Sequence, residues 1–122
     1  MKFFLLFNLL IAASFTQAQT GKVSSLPPGV YEVQKAGKLS HDIILIDDSH
    51  YKLRNEDTLS EYKFSATAQR VLFISGALKG MFAKTVVSGD APAIVLPKKE
   101  NEALGYQLAD TDVWAKYKKK LQ

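Results

Sequence analysis

From Gly29 onward, apolar and polar residues exchange places at every second position in short runs, and each run is closed by turn-forming residues. Side chains of an extended chain point alternately to opposite faces, so this rhythm predicts half-buried β-strands. In "GVYEV" Tyr31 and Val33 alternate with Glu32, and in "EYKFSAT" Tyr62, Phe64 and Ala66 oppose Glu61, Lys63 and Ser65. "YKL" repeats the pattern around Tyr51 and Leu53, while "DIILI" is apolar throughout and β-branched at Ile43, Ile44 and Ile46, as suits a central strand. "RVLFIS", "FAKTVV" and "PAIVLP" continue the series, the last bounded by Pro92 and Pro97, and "GYQLA" is a weaker eighth. No connection before Asp110 is long and periodic enough for a crossover helix, which argues against parallel βαβ units.

The last stretch reads differently. In "DTDVWAKYKKKLQ" the residues Val113, Trp114, Tyr117 and Leu121 fall near one helical face, Asp110 or Thr111 can cap the first amides, and lysines occupy the last turn. A short helix over residues 111–121, anchored by Trp114, is the expectation. The fold predicted is therefore all-β: a small antiparallel barrel or sandwich of seven to eight strands, residues 29–122, with a short C-terminal helix. Ahead of it, "QTGKVSSLPP" (residues 19–28) lacks apolar periodicity and reads as a flexible leader.

Residues 1–18, "MKFFLLFNLLIAASFTQA", change the picture of where the domain works. One Lys at position 2 precedes an apolar run from Phe3 to Ala13, followed by small residues at Thr16 and Ala18. This layout is that of a secretory signal peptide cleaved before Gln19. The run is too short for a membrane span, which needs about 20 apolar residues. The expectation is an exported protein, periplasmic or secreted, with no stable membrane insertion after cleavage. The remaining 104 residues (122 − 18) suffice for one domain with a single modest core. Cysteine is absent, so that core holds without disulfides.

Charge narrows the partners. The formal net charge of +4 drops to +3 without Lys2, and most of that excess lies in Lys116, Lys118, Lys119 and Lys120. The body between residues 19 and 115 is close to neutral, so no basic face for nucleic acid is expected.

Candidate chemistry is sparse. The segment "HDIILIDDSHYKLRNEDTLSEYKF" holds both histidines and half of the twelve acidic residues. Asp47, Asp48, Ser49 and His50 sit between two strands, where Asp and Ser bend the chain through their own backbone, and a hairpin loop accounts for all four. The spacing fits neither a calcium loop nor HExxH zinc binding, so no metal is expected. No G-x-S-x-G elbow, cysteine nucleophile or phosphate loop is present, and neither an enzyme nor a cofactor is predicted. The candidate ligand-binding residues are the aromatics assigned to the inner face: Tyr31, Tyr51, Tyr62, Phe64, Phe73 and Phe82. An eight-stranded barrel is either packed solid or just able to hold one small ligand. A packed core is the preferred reading. The tyrosine hydroxyls need polar partners, which favours one wet end. In "SGALKG" Gly76 and Gly80 fit a bulged or tight connection, the preferred reading; the functional alternative is a partner-binding loop in which Ser75, Gly76, Leu78 and Lys79 would form an exposed tip together with Met81.

Taken in order, "GVYEV", "ILIDDSHYKL", "YKFSA", "RVLFISGALKG" and "PAIVLP" resemble small exported bacterial β-domains over most of the mature chain. Gly29-Val30-Tyr31 is similar to the G-x-W opening of lipocalin-like barrels, with Tyr31 in place of the tryptophan. Ser75, Gly76 and Lys79 resemble the Ser-Gly loop with which periplasmic lysozyme inhibitors probe an acidic cleft, although the cysteines usual in those inhibitors are absent. The export signal, the aromatic inner face and the lack of catalytic motifs lead to the expectation of a non-catalytic exported domain that recognises a small apolar molecule, a glycan or a partner protein. The alternatives are an inhibitor of a cell-wall lytic enzyme or a hydrolase.

Overall fold

Eight antiparallel strands run up and down in chain order and close on themselves as a barrel. The computed structural model describes residues 22–34, 41–108 and 110–121. The signal segment 1–18 lies outside them, as do Gln19, Thr20 and Gly21 of the leader. The strands are β1 (Gly29–Val33), β2 (Ile43–Leu45), β3 (His50–Leu53), β4 (Ser60–Ser65), β5 (Arg70–Phe73), β6 (Phe82–Ser88), β7 (Ala91–Leu96) and β8 (Val113–Lys119). One short helix, α1 (Lys98–Ala103), joins β7 towards β8. The fold is thus all-β with one short helix, as predicted.

The helix lies earlier than residues 111–121, which instead form β8. This strand pairs with β7 through Ala93↔Lys116 and Leu96↔Val113, and with β1 through Tyr31↔Tyr117 and Val33↔Ala115. The same residues satisfy a period of two: Val113 and Ala115 are fully buried, while Trp114, Lys116 and Lys118 face outward. Without β8, both β1 and β7 would expose a row of unpaired backbone groups, and closure removes both edges at once. Trp114 is consequently not an anchor in the core but a surface residue, 36% exposed. Residues 105–108, the described part of "GYQLA", form no strand either, because Gly105, at φ +93°, turns the chain across one end of the barrel.

The interior is filled. Tyr31, Tyr51, Tyr62 and Phe73 are at most 1% exposed. Tyr51 meets Phe73 edge-on at 4.9 Å between ring centroids, and Tyr31 meets Tyr117 at 5.2 Å. Both lie within the range where edge-to-face rings attract. Ile43, Leu45, Val71, Ile94 and Leu96 complete the core.

One end of the barrel is closed by the leader. Val23 and Leu26 are buried in the core cluster, and the described part of the segment expected to be flexible is held in place. The Gln69 carboxamide accepts the Val23 N–H and donates to the Val23 carbonyl, both at 2.8 Å, as a neighbouring strand would. At the other end α1 is pinned by Asn101. This fully buried side chain accepts the Phe82 N–H at 2.9 Å and donates to the Phe82 and Pro97 carbonyls. Its amide is thereby satisfied, which burial requires.

Candidate functional site

The end of the barrel opposite the leader carries the long connections, and a single phenol organises them. Tyr51 rises from β3 inside the barrel, and its hydroxyl donates to the Ser75 carbonyl at 2.6 Å and accepts the Leu78 N–H at 3.0 Å. The Ser75 hydroxyl in turn accepts the Glu61 N–H at 2.9 Å, tying the loop to β4. Gly76 sits at φ +83°, and a Cβ there would collide with the Ser60 side chain. Only glycine fits both the dihedral and the space. Residues Gly76–Leu78 then form one 3₁₀ turn.

This bracing overturns the expected exposed tip. Leu78 and Met81 are 2% and 6% exposed and plug the mouth from above. Flanking glycines let the chain double back, so both apolar side chains turn inward where burial is favourable. Ser75 and Gly76 are likewise occupied with holding the loop. Lys79 remains exposed, with its backbone N–H bonded to the Gly76 carbonyl and its own carbonyl accepting the Tyr106 hydroxyl. Between this loop and residues 105–107 lies a groove of about 460 Å³ lined by Leu53, Ala77, Leu78, Met81, Gly105, Tyr106 and Gln107. Its lining mixes the aliphatic side chains of Leu53, Ala77, Leu78 and Met81 with the Tyr106 ring and the Gln107 amide. Such a groove can take an apolar group and orient it by a few polar contacts.

The six aromatics are not all gathered together. Tyr31, Tyr51, Tyr62 and Phe73 fill the interior, and Phe64 packs against that core partly buried. Phe82 faces outward, contrary to its assignment to the inner face, because Ala83 and Thr85 take the inward positions of β6. The Arg70 guanidinium lies 4.7 Å above the Phe82 ring and grips Glu100 with both nitrogens, at 2.6 and 3.0 Å. That hydrogen-bonded pair holds the Glu100 carboxyl below its ordinary range. The buried hydroxyls find backbone partners rather than a ligand: Tyr31 donates to the Pro27 carbonyl and Tyr62 to the Asp47 carbonyl, each at 2.7 Å. Burial, reinforced by Asp48 and Asp47, pushes the Tyr62 phenol up to about 12. Burial raises Tyr31 and Tyr51 as well.

The Asp47–His50 segment is a turn held by one carboxylate. Asp47 Oδ1 accepts the backbone N–H groups of Ser49 and His50 at 2.9 and 2.8 Å, and lies 2.9 Å from His50 Nδ1. The Ser49 hydroxyl lies 3.1 Å from that same nitrogen. A Ser-His-Asp relay needs the serine and the aspartate on opposite ring nitrogens. With both contacts on Nδ1, the set caps the turn. The Ser49 N–H and the His50 side chain together hold the Asp47 carboxyl below its usual value. Asp42 is drawn up by partial burial but held lower overall by Arg54, whose guanidinium reaches it at 2.8 and 3.1 Å, and by the Val33 N–H. Among the described residues no three His, Cys, Asp or Glu side chains group closely enough to hold a metal ion.

Tyr106 and Gln107 are the groove residues that the pattern of the sequence misassigned, since "GYQLA" alternates like a strand. The signal that marks them is Gly105 directly after a charged helical stretch, the usual place for a helix to end and the chain to turn. Comparison with protein family models, with curated proteins and with solved structures finds no match to this chain.

Proposed function

We propose that this protein is an exported, non-catalytic binding domain whose recognition surface is the mouth groove, and that it takes a small apolar molecule or an apolar side chain of a partner protein. The observation that carries the reading is the loop of residues 75–80, fixed through Tyr51, Gly76 and Tyr106 over an aliphatic trough. A preformed trough binds without the cost of ordering a loop, which is how small apolar sites gain affinity. The likeness to lipocalin-like barrels is supported by the strand number and the up-and-down order. The site, however, moves from the aromatic interior to the rim. In this reading Tyr31, Tyr51, Tyr62, Phe64 and Phe73 are the packed floor beneath the ligand. Export rests on the signal-like first eighteen residues, and sequencing the N-terminus of the released protein should read from Gln19. Native mass spectrometry of protein taken from its own compartment tests the binding. A retained ligand or partner that is lost in Ala77→Arg supports the groove, and a bare monomer that also captures nothing in a pull-down removes it.

A second reading is favoured by one feature, the exposed Lys79 held at the tip of a braced loop. Such a rigid cation suits insertion into an acidic cleft, as in an inhibitor of a cell-wall lytic enzyme. Slowed hydrolysis in a lytic assay, relieved by Lys79→Ala, would support it, and no slowing at about micromolar concentration would end it.

A further inference from the structure

A second groove lies on the outer wall of the barrel, sharing no residue with the mouth. It occupies about 550 Å³ and is lined by Gln34, Ser88, Thr111, Asp112, Trp114 and Lys116. We propose that it binds a neutral, β-linked oligosaccharide.

Trp114, the only tryptophan in the chain, stands 36% exposed on β8 between the inward Val113 and Ala115. An indole left at the surface keeps a flat apolar face in contact with water. Every other side chain lining the groove carries a hydrogen-bonding group: a carboxamide, two hydroxyls, a carboxylate and an ammonium. A flat aromatic face ringed by donors and acceptors is complementary to a pyranose with equatorial hydroxyls, which presents a face of C–H bonds and a polar rim.

The charges select the class. Asp112 and Lys116 oppose each other in sign, so the groove offers a balanced field rather than one suited to an acidic or a basic polymer. Lys116 Nζ stands 5.9 Å from the indole centroid, at the outer limit of a cation–π contact, so the ring face is only loosely claimed. The polar groups are already positioned. Asp112 Oδ1 accepts the Lys98 N–H at 3.0 Å, and Gln34 is held by its backbone N–H on the Trp114 carbonyl at 2.7 Å and by its side-chain nitrogen on the Glu32 carbonyl at 3.1 Å. Among the described residues Asp112 Oδ2 and the Gln34 side-chain oxygen accept no hydrogen bond, so they can accept from sugar hydroxyls.

The groove is also long. Ser88 lies opposite Ala91, and Val113, next to Asp112, lies opposite Leu96. At about 3.3 Å per residue along β7 these two rows are roughly 16 Å apart, which suits a short chain of sugar rings better than a single one.

A single tryptophan in the site makes the test direct. The protein is titrated with cellotriose and, separately, with N-acetylchitotriose while Trp114 emission is followed. The expected result is a saturable blue shift with one of the two, at a Kd of roughly 0.1–1 mM. Gln34→Ala should weaken it about tenfold. Calorimetry should find binding retained but weaker in Trp114→Phe and lost in Trp114→Ala, with circular dichroism confirming that each variant is folded. No shift with either trisaccharide up to about 10 mM overturns the proposal, as does a shift that Gln34→Ala leaves unchanged.

Discussion

The two ends of this barrel are closed by the same means, tyrosine hydroxyls on backbone carbonyls, yet the groove at the mouth, about 460 Å³, is larger than the one of about 340 Å³ beside the leader. At the leader end the connections between strands are tight. Tyr31 and Tyr62 each satisfy a single carbonyl, and Val23 and Leu26 lie over the core, held by Gln69. At the mouth Tyr51 both donates and accepts, fixing a loop that reaches over the strands instead of lying across them. A cover made of laid-down chain leaves the smaller groove, lined by Lys22, Val23 and Ser24 with the turn of residues 66–69. A cover made of a braced loop leaves a trough beside it, and the trough is where recognition can occur.

Alkali should test both ends together and with the largest effect. The Tyr62 phenol stands at about 12 in the folded protein against an ordinary 10.0. A group whose value is raised on folding contributes stability below its unfolded value and loses it as pH climbs through the folded one. Tyr62 alone then gives up about 3 kcal/mol between pH 10 and 12, and Tyr31 and Tyr51 act in the same direction. Denaturant melts across that window should show a steep fall, and a flat profile would mean that the phenols are not buried as described. The next largest effect belongs to the mouth: Gly76→Ala forces a Cβ into a positive φ and against Ser60. A loss of about 3 kcal/mol in chemical denaturation is expected, together with loss of ligand at the mouth.

Tyr51→Phe separates bracing from packing, since the ring stays and only the hydroxyl goes. The variant should lose about 2 kcal/mol, and amide exchange should quicken at Leu78 and its neighbours while the leader end keeps its protection. Gln69→Ala is the mirror experiment with the smallest effect, about 1 kcal/mol. Exchange should quicken at Val23, and ligand binding at the mouth should be unchanged. If Gln69→Ala altered the groove, or Tyr51→Phe loosened the leader, the two ends would not be independent.

Seven strands were legible from local sequence alone, most by their own alternation, and β2 and β7 as short apolar runs bounded by turn-forming residues. β8 was not, because Val113, Trp114 and Tyr117 fall near one helical face while Val113, Ala115 and Tyr117 fall on one strand face, and the local sequence allows both. The choice between them is made by β1 and β7, which are distant in sequence and need a partner between them. α1 is too short to display a helical period, and its fixing residue, Asn101, reveals its role only through the backbone of Phe82. Gly76 and Gly80 mark a tight connection in the sequence, but the direction of Leu78 and Met81 depends on Tyr51, which lies far from them along the chain. Phe82 differs by one position of register from its assigned face. Val23 and Leu26, two isolated apolar residues among polar ones, carry no periodicity that would mark them as a plug.

The register of β1 with β8, in which Val30 lies opposite Lys119, has a practical consequence for handling the molecule. Entry into the first strand and exit from the last occur side by side at the leader end, so a surface tether joined to the exposed side chain of Lys119 or Lys120 sits at the opposite end of the barrel from the mouth. Immobilised that way on a sensor chip, every copy would present its groove to the flowing solution.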